Sequence, residues 1–306
     1  MEVKELIKDP GIWAGQNKPG LPVEEADIVV FSIPFDGGVS FRAGAKDAPQ
    51  ALREITYTIS PTTELFESFD VINVVDLGDI PGESRDELFK NAERATSDIV
   101  KAGKFFVMIG GDHSVTIPVQ KGVDDALNKP FGIIHIDAHF DLCDKLNGDS
   151  LSHGSTERRA LELNNISGIE SIFFLGIRSI EMDELDFIRK NGVHCLSAND
   201  MAEIGIEATV SKVKEHFKGY EKIYLTLDID CLDPAYAPGT GTPQFGGLTA
   251  RELLGLLRGL FDLPIIGMDV VEVAPKLDSS LVAVFAARKI ITECWGHHLR
   301  SRKKLK

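Results

Sequence analysis

Three short stretches of the sequence carry side chains that bind metal ions. The stretch Ile136-Asp-Ala-His-Phe-Asp141 places Asp137, His139 and Asp141 at alternate positions. On an extended segment, these three side chains would share one face. The apolar run at 131–136 is typical of a buried strand. The pattern therefore predicts a metal-binding group at the carboxyl end of a strand, where open α/β sheets bind ligands.

Two further stretches add ligands of the same kind. Asp228 and Asp230 follow a second apolar run. A third run ends in Gly110-Gly-Asp-His-Ser114, which breaks the strand at two glycines and delivers His113 at a turn from strand to helix. The ends of three predicted strands therefore offer four aspartates and two histidines to one site.

The chemistry of such a cluster requires cations. Carboxylates packed into one pocket repel each other strongly unless positive charge neutralises them, and two divalent ions would balance four aspartates. A set rich in oxygen, with two imidazoles and no thiolate, favours Mn²⁺ over Zn²⁺. Two such ions can share a water and lower its pKa toward about 7, which makes a nucleophile at neutral pH. We therefore expect two Mn²⁺ ions per subunit.

The rest of the sequence predicts a single α/β domain over 1–306. The 306 residues are 43% hydrophobic, enough to form a large core. About eight strands alternate with helices, which favours a three-layer α/β/α sandwich around a largely parallel sheet. A strand is predicted over 69–77 and one helix over 200–217. The sequences Ser84-Arg-Asp-Glu87 and Thr249-Ala-Arg-Glu252 are capping boxes that predict helix starts.

Composition excludes several classes of function. A net charge of −14 argues against nucleic acid and suits a cationic small molecule. No apolar run approaches the roughly 20 residues of a membrane span, and a signal peptide is not expected, so we expect a cytoplasmic protein with no membrane partner. The basic segment 300–306 is predicted to be a solvated helix end. The four cysteines lack the spacing of a zinc site and are predicted to be free thiols.

The three stretches resemble the metal motifs of the ureohydrolases of arginase fold. The motifs are Gly110-Gly-Asp-His-Ser114, Asp137-Ala-His-x-Asp141 and Asp228-x-Asp-x-x-Asp-Pro234, in that order, and the similarity runs from about Ile33 to Pro275. The resemblance implies that one Mn²⁺ is held by His113, Asp137, Asp141 and Asp228. It implies that the other is held by Asp137, His139, Asp228 and Asp230.

The resemblance also implies catalytic roles for three residues. Glu272, in Val271-Glu-Val-Ala-Pro275, would bind a guanidinium group, and His153 would carry a proton and contact substrate near the pocket mouth. Paired hydrogen bonds to a carboxylate suit a planar guanidinium, and imidazole titrates near neutrality. Asp141 would accept a hydrogen bond from the bridging hydroxide. Without the resemblance, His153 would be interpreted as a loop residue and Glu272 as an ordinary carboxylate at a strand end.

Three other polar residues of these stretches are expected to support the ligands without binding metal. His135 would lie one step behind Asp137 in the sheet. Asp112 and Asp233 are expected to form caps or to contact the ligands from behind.

Two loops favour agmatine as the substrate. The segments 141–154 and 237–248 look more like those of agmatinases than of arginases. Arginases usually carry Asn two residues after the last ligand of the second motif, where it helps to bind the α-groups of the amino acid, and this chain has Cys143. The resemblance therefore implies a substrate without an α-carboxylate and a product, putrescine, of polyamine biosynthesis. Asp144 and Asp149 are either solvated loop charges or contacts for the distal amine.

Other functions stay open at this point. Ala48 stands before Pro49, where agmatinases commonly have glycine, so the length of the substrate is uncertain. Guanidinobutyrate, arginine or a formimino compound would need a cation at the pocket mouth, from Lys145 or Arg42. A non-catalytic protein that binds metal or polyamine is a further alternative, which the complete ligand set argues against. The resemblance also implies self-association, as a trimer or a hexamer, and a small cationic guanidino substrate.

Overall fold

A computed structural model of the protein describes residues 2–302. Within this range the strands form one eight-stranded sheet, and every pair of neighbouring strands is parallel. The strands are β1 (Ile28–Ser32), β2 (Val74–Asp79), β3 (Phe105–Ile109), β4 (Gly132–Ile136), β5 (Ile172–Leu175), β6 (His194–Leu196), β7 (Ile223–Leu227) and β8 (Ile265–Val270). Their order across the sheet is β2-β1-β3-β8-β7-β4-β5-β6.

Helices cover both faces of the sheet, which confirms the three-layer sandwich. The helices are α1 (Val3–Leu6), α2 (Ile12–Gly15), α3 (Ala48–Ile55), α4 (Arg85–Lys101), α5 (Thr116–Ala126), α6 (Thr156–Ala160), α7 (Met182–Asn191), α8 (Ala198–Ile204), α9 (Ile206–His216), α10 (Ala250–Leu260) and α11 (Val282–Ser301). One hydrophobic cluster joins a sheet face to α4, α5 and α6, and a second joins the opposite face to α3, α9, α10 and α11. None of these helices is both long and apolar enough to span a bilayer.

The strand order decides where the site forms. The four central strands are β3, β8, β7 and β4, and β3, β4 and β7 are the strands followed by the predicted metal ligands. All of them are buried on both faces, which explains why their sequences are continuous apolar runs. Because parallel strands end at the same edge, His113, Asp137 and Asp228 emerge side by side from the middle of the sheet.

Two predicted elements differ from the structure. The strand expected over 69–77 begins only at Val74, and Phe69 is buried against Trp295 from a loop. The helix expected over 200–217 is two helices, because Gly205 has a φ of 81° and ends α8 before α9 begins. An apolar pattern that continues across such a glycine does not reveal the change of direction.

The predicted helix starts are confirmed, with one difference in detail. The Thr249 side chain accepts from Glu252 N, and the Glu252 carboxylate accepts from Thr249 N, so α10 begins with a complete capping box. Ser84 accepts from Glu87 N, but the Glu87 carboxylate accepts from Glu83 N. All four cysteines are free thiols. The predicted basic tail beyond Arg302 lies outside the described residues.

A buried ion pair fixes α3 to β2. Arg53 Nε lies 2.8 Å from Asp76 Oδ2, and neither side chain is exposed to solvent. The guanidinium also donates to Ser32 Oγ and Asp79 Oδ1, and Trp13 Nε1 donates to Asp76 Oδ2 at 2.7 Å. Every buried charge of this group therefore has a partner.

We expect Arg53→Met to destabilise the protein by about 3–5 kcal/mol, because it leaves the Asp76 carboxylate buried without a counter-ion. Denaturant unfolding followed by circular dichroism measures the change. Arg94→Met is the matched control, since the Arg94–Asp98 pair is 85% and 69% exposed and its loss should change stability by about 0.5 kcal/mol or less. Equal stabilities for the two variants would contradict the interpretation.

Candidate metal centre and active site

Three of the predicted ligands surround the Nδ1 atom of a fourth, His113. His113 Nδ1 lies 3.0 Å from Asp137 Oδ2, 3.0 Å from Asp141 Oδ2 and 3.4 Å from Asp228 Oδ2. All four residues are at least 95% buried. The carboxyl ends of β3, β4 and β7 thus bring one nitrogen and three carboxylates to a single point.

The remaining predicted ligands form a second group beside the first. His139 Nδ1 lies 3.3 Å from Asp230 Oδ2 and 3.4 Å from Asp137 Oδ1. Asp137 therefore directs one oxygen toward each histidine, His113 and His139. This arrangement matches the predicted sharing of Asp137 between two ions.

The backbone that carries the ligands is not the extended strand predicted from the sequence. β4 ends at Ile136, and the chain then bends so that Asp141 has a φ of 55°, in the left-handed region. Likewise, Asp228 caps a short 3₁₀ turn and accepts from Asp230 N at 2.7 Å. The alternation argument was therefore wrong about the local backbone, although the ligand side chains do converge.

The electrostatics of the cluster call for positive charge. Burial raises the pKa of Asp228 well above its usual value, and Asp230 and Asp137 raise it further. The neighbouring carboxylates raise the pKa of the His113 imidazole despite its burial. Four atoms of the cluster are buried without a hydrogen-bond partner: His113 Nδ1, Asp137 Oδ2, Asp141 Oδ2 and Asp230 Oδ2. This donor set, rich in oxygen and directed inward, fits divalent cations.

Two of the three residues predicted to support the ligands contact a ligand or cap a turn beside one. His135 Nδ1 lies 3.0 Å from Glu157 Oε1, and its Nε2 lies 3.1 Å from the His139 carbonyl oxygen and 3.2 Å from Asp137 Oδ2. Asp112 accepts from Gly38 N, and burial together with Glu272 raises its pKa to about 7. These contacts hold loops and ligands in place.

Asp233 fixes a loop. Its carboxylate accepts from the backbone N–H groups of Ala235 and Gly246, at the two sides of the 237–247 segment. It does not join the ligand cluster.

His153 and Glu272 form a pair beside the metal ligands. His153 Nδ1 lies 2.9 Å from Glu272 Oε1, and His153 Nε2 lies 3.0 Å from Ser40 N. Burial lowers the pKa of His153, but the Glu272 carboxylate outweighs this and raises it to about 9. Glu272 Oε1 also accepts from His113 N at 2.9 Å. Its φ of 62° is left-handed and directs its carboxylate at the cluster.

A glycine makes this arrangement possible. A Cβ at Gly111 would lie 1.7 Å from the Phe35 carbonyl oxygen, so only glycine allows the end of β3 to approach the loop after β1. Gly111 O in turn accepts from Glu272 N at 2.8 Å.

A cavity of about 130 Å³ opens over the ligands. Its lining includes Cys143, Ser179, Glu181 and Glu184, together with the predicted ligand Asp141. No lysine or arginine lines it among the described residues. A larger cleft of about 660 Å³ between α9 and α10 contains none of the predicted ligands.

The charged loop residues that were predicted as candidates for the pocket mouth do not line the cavity. Asp144 and Asp149 are bonded to Arg159 and Arg85, respectively, and neither lines the cavity. Arg42 donates to two carbonyl oxygens of the 237–247 segment and also lies outside the lining.

Several residues in the cavity lining or next to it were not identified from the sequence. Glu181 and Glu184 form the capping box of α7, a signal that the spacing Glu-x-x-Glu could have given. Arg178 donates to Asp230 O at 2.6 Å and Gln244 O at 2.8 Å, and so fastens a ligand turn to the 237–247 segment. Ser40 is near His153 only through folding, since 113 positions separate them.

Comparison with known proteins identifies the class. The profile of the arginase family matches residues 26–296. The proclavaminate amidinohydrolase of Streptomyces clavuligerus is 36% identical over 288 residues, 90% of each chain, and the structure of this enzyme superposes with a TM-score of 0.83 over 90% of this chain and 93% of its own. An agmatinase of Neisseria meningitidis is 39% identical over 281 residues, 89% of this chain and 88% of its own. The arginase structure from Bacillus subtilis, 25% identical, has a TM-score of 0.75 over 88% and 98% of the chains.

The chain belongs to the arginase family. It is therefore a hydrolase that acts on amidino groups, in a fold that depends on metal.

Asp137→Asn tests the shared ligand. We expect it to abolish binding of both ions, since Asp137 contributes an oxygen to each histidine group. Elemental analysis after reconstitution with Mn²⁺ and removal of excess ion measures the metal content per chain. Asp144→Asn, whose carboxylate is exposed and paired with Arg159, should keep the full content. An Asp137→Asn protein that retains two ions would refute the two-ion site.

Proposed function

We propose that this enzyme is a manganese-dependent agmatinase that hydrolyses agmatine to putrescine and urea. The observation that carries the proposal is the charge of the cavity: Asp141, Asp228, Glu181 and Glu184 line it, and no lysine or arginine does among the described residues. A substrate that is cationic at both ends suits such a cavity. The relatives named agmatinase, at 38–39% identity, support the same substrate.

The cavity has an acidic wall, formed by Glu181 and Glu184, which argues against a carboxylated substrate. Arginine or guanidinobutyrate would bring its carboxylate toward Glu181 and Glu184 without a cation to pair with it. Burial and then Glu184 raise the pKa of the Cys143 thiol to about 12, so this side chain is neutral. A distal ammonium group would instead be attracted to the two glutamates.

Another guanidino substrate is the second candidate. It is favoured by the 36% identity to a protein named proclavaminate amidinohydrolase, which is as similar over its length as the agmatinases are. The acidic wall is the feature that ranks agmatine above it.

The ligand groups would hold two manganese ions, one with His113, Asp137, Asp141 and Asp228 and one with Asp137, His139, Asp228 and Asp230. When bound, the two ions polarise a water and lower its pKa, which supplies a nucleophile near neutral pH. Asp141 would also accept a hydrogen bond from that nucleophile.

The protein's own groups orient the substrate and move protons. Glu272 is buried beside the metal ligands, where Oε1 contacts His153 Nδ1 and His113 N, and it is not part of the cavity lining. We expect its carboxylate to hold the guanidinium through hydrogen bonds. His153 contacts Glu272 through Nδ1, and its Nε2 accepts from Ser40 N. The protonated form of this imidazole would supply a proton to the leaving amine. Because the cavity is small, it would keep the guanidinium carbon close to the nucleophile.

Assembly and location are part of the proposal. We expect a trimer or a hexamer, as the family resemblance implies, and a location in the cytoplasm, as the sequence predicts. Size-exclusion chromatography with light scattering measures the assembly.

Urea release tests the substrate. Protein stripped of metal and reloaded with Mn²⁺ should act on agmatine with kcat/KM at least about 100-fold above that on arginine and 4-guanidinobutyrate, equivalent to about 2.7 kcal/mol of selectivity. Glu181→Gln should lower kcat/KM for agmatine but not for the other two substrates, and so reduce this ratio. A carboxylated guanidine that reacts faster than agmatine would refute the substrate assignment and leave the metal site standing. Two bound ions without hydrolysis of any guanidine would favour a binding protein.

His153 gives the reaction a pH dependence with a definite sign. Its pKa is raised to about 9, so the protonated form that can serve the leaving amine persists below that pH and is lost above it. We therefore expect kcat to fall as pH rises through this region. His153→Asn should lower kcat by about 10²–10⁴-fold and remove this fall, with unchanged metal content. His216→Asn, on α9, is the control, and a His153→Asn profile of wild-type shape would contradict the role.

A further inference from the structure

The far side of the His113 ring contacts a buried chain of hydrogen bonds. His113 Nε2 lies 2.7 Å from Thr226 Oγ1, and Thr226 Oγ1 lies 2.8 Å from Asp269 Oδ1. Thr226 is on β7 and Asp269 on the adjacent strand β8. All three residues are 0–1% exposed, so water does not compete for these bonds.

The partners of Asp269 determine which groups donate and which accept in this series of hydrogen bonds. Leu227 N–H, which can only donate, is 3.1 Å from Asp269 Oδ1. The hydroxyls of Tyr224 and Thr116 lie 2.5 Å and 2.8 Å from Asp269 Oδ2. A carboxylate that receives two bonds at each oxygen has no hydrogen to give. The Thr226 hydroxyl hydrogen therefore points to Asp269.

This direction fixes the tautomer of His113. Since the Thr226 hydroxyl gives its one hydrogen to Asp269, its oxygen accepts from His113, and the ring hydrogen lies on Nε2. The lone pair of the neutral ring is then on Nδ1. That atom faces Asp137, Asp141 and Asp228 at 3.0–3.4 Å. The opposite tautomer would place a hydrogen where a cation must bind.

We propose that Thr226 and Asp269 are positioning residues, which hold His113 as the Nε2–H tautomer and thereby set the affinity of the metal site on the His113 side. The inference rests on metal binding by the proposed enzyme but not on the identity of its substrate. It also explains why a threonine and an aspartate occur in the interior of two buried central strands, where polar side chains are costly unless fully bonded.

Mn²⁺ binding to the metal-free full chain tests the proposal. Electron paramagnetic resonance of free Mn²⁺ during titration gives both dissociation constants. Thr226→Val keeps the shape of the side chain but cannot accept from Nε2, and we expect one of the two constants to rise about 10–100-fold while the other changes less than about twofold. Thr226→Ser restores the hydroxyl and should restore the wild-type constants.

A matched control separates this effect from general destabilisation. Thr209→Val removes another fully buried hydroxyl, one that donates to Gly205 O in α9, and should leave both constants unchanged. If Thr226→Val does not fold, Thr226→Cys provides the comparison, because a thiol is a weak donor and acceptor and should weaken the same constant by a smaller factor. Wild-type constants in a folded Thr226→Val or Thr226→Cys protein would overturn the proposal alone. A wild-type chain that binds no Mn²⁺ would overturn both this proposal and the proposed function.

Discussion

The mutual repulsion of buried carboxylates is the constraint on which the structure of this site depends. Asp137, Asp141, Asp228 and Asp230 are 1–5% exposed and meet at the middle of one sheet edge. Such groups cannot all be ionised in a low-dielectric setting without cations. The fold must therefore hold the carboxylates together against their repulsion until ions bind. A deep core on both faces of the sheet supplies that rigidity, since the strands that lead to the cluster are completely buried.

Backbone strain at this edge of the sheet reduces the stability of the fold. Asp141 and Glu272 both have left-handed φ angles, which cost about 1–3 kcal/mol each for residues with a Cβ. Hydrogen bonds fix both positions: the Asp141 carbonyl accepts from Glu157 N and Arg158 N, and Glu272 N donates to Gly111 O. The first turn of α6 and the glycine turn after β3 thus hold strained residues whose side chains face the cluster.

The sequence was sufficient to predict the sandwich and the residues that converge in the candidate metal site, because both leave local signals. Buried parallel strands are continuous apolar runs, and the acidic residues stand immediately after them. The order of the strands was not predictable, because pairings such as β3 with β8 join segments about 160 positions apart and depend on how the helices pack. The left-handed turn at Asp141 was missed because the residue is not glycine. The bond between His153 and Glu272, and the chain from His113 to Asp269, join residues on different elements and leave no local pattern.

The acidic wall also links the binding of a cation to proton release. Both oxygens of Glu184 accept backbone N–H groups, from Leu142 and Glu181, so its position does not depend on a ligand. Burial raises its pKa to about 7, and therefore the carboxyl is only partly ionised at neutral pH. An ammonium group that enters the cavity favours the ionised form and lowers that pKa, because opposite charges stabilise each other. A substrate carboxylate in the cavity has the opposite effect and raises the pKa of Glu184. It either lies beside an ionised Glu184 or causes Glu184 to take up a proton. In the proposed enzyme, the protonation of Glu184 would therefore discriminate between guanidines with a distal ammonium group and guanidines with a carboxylate.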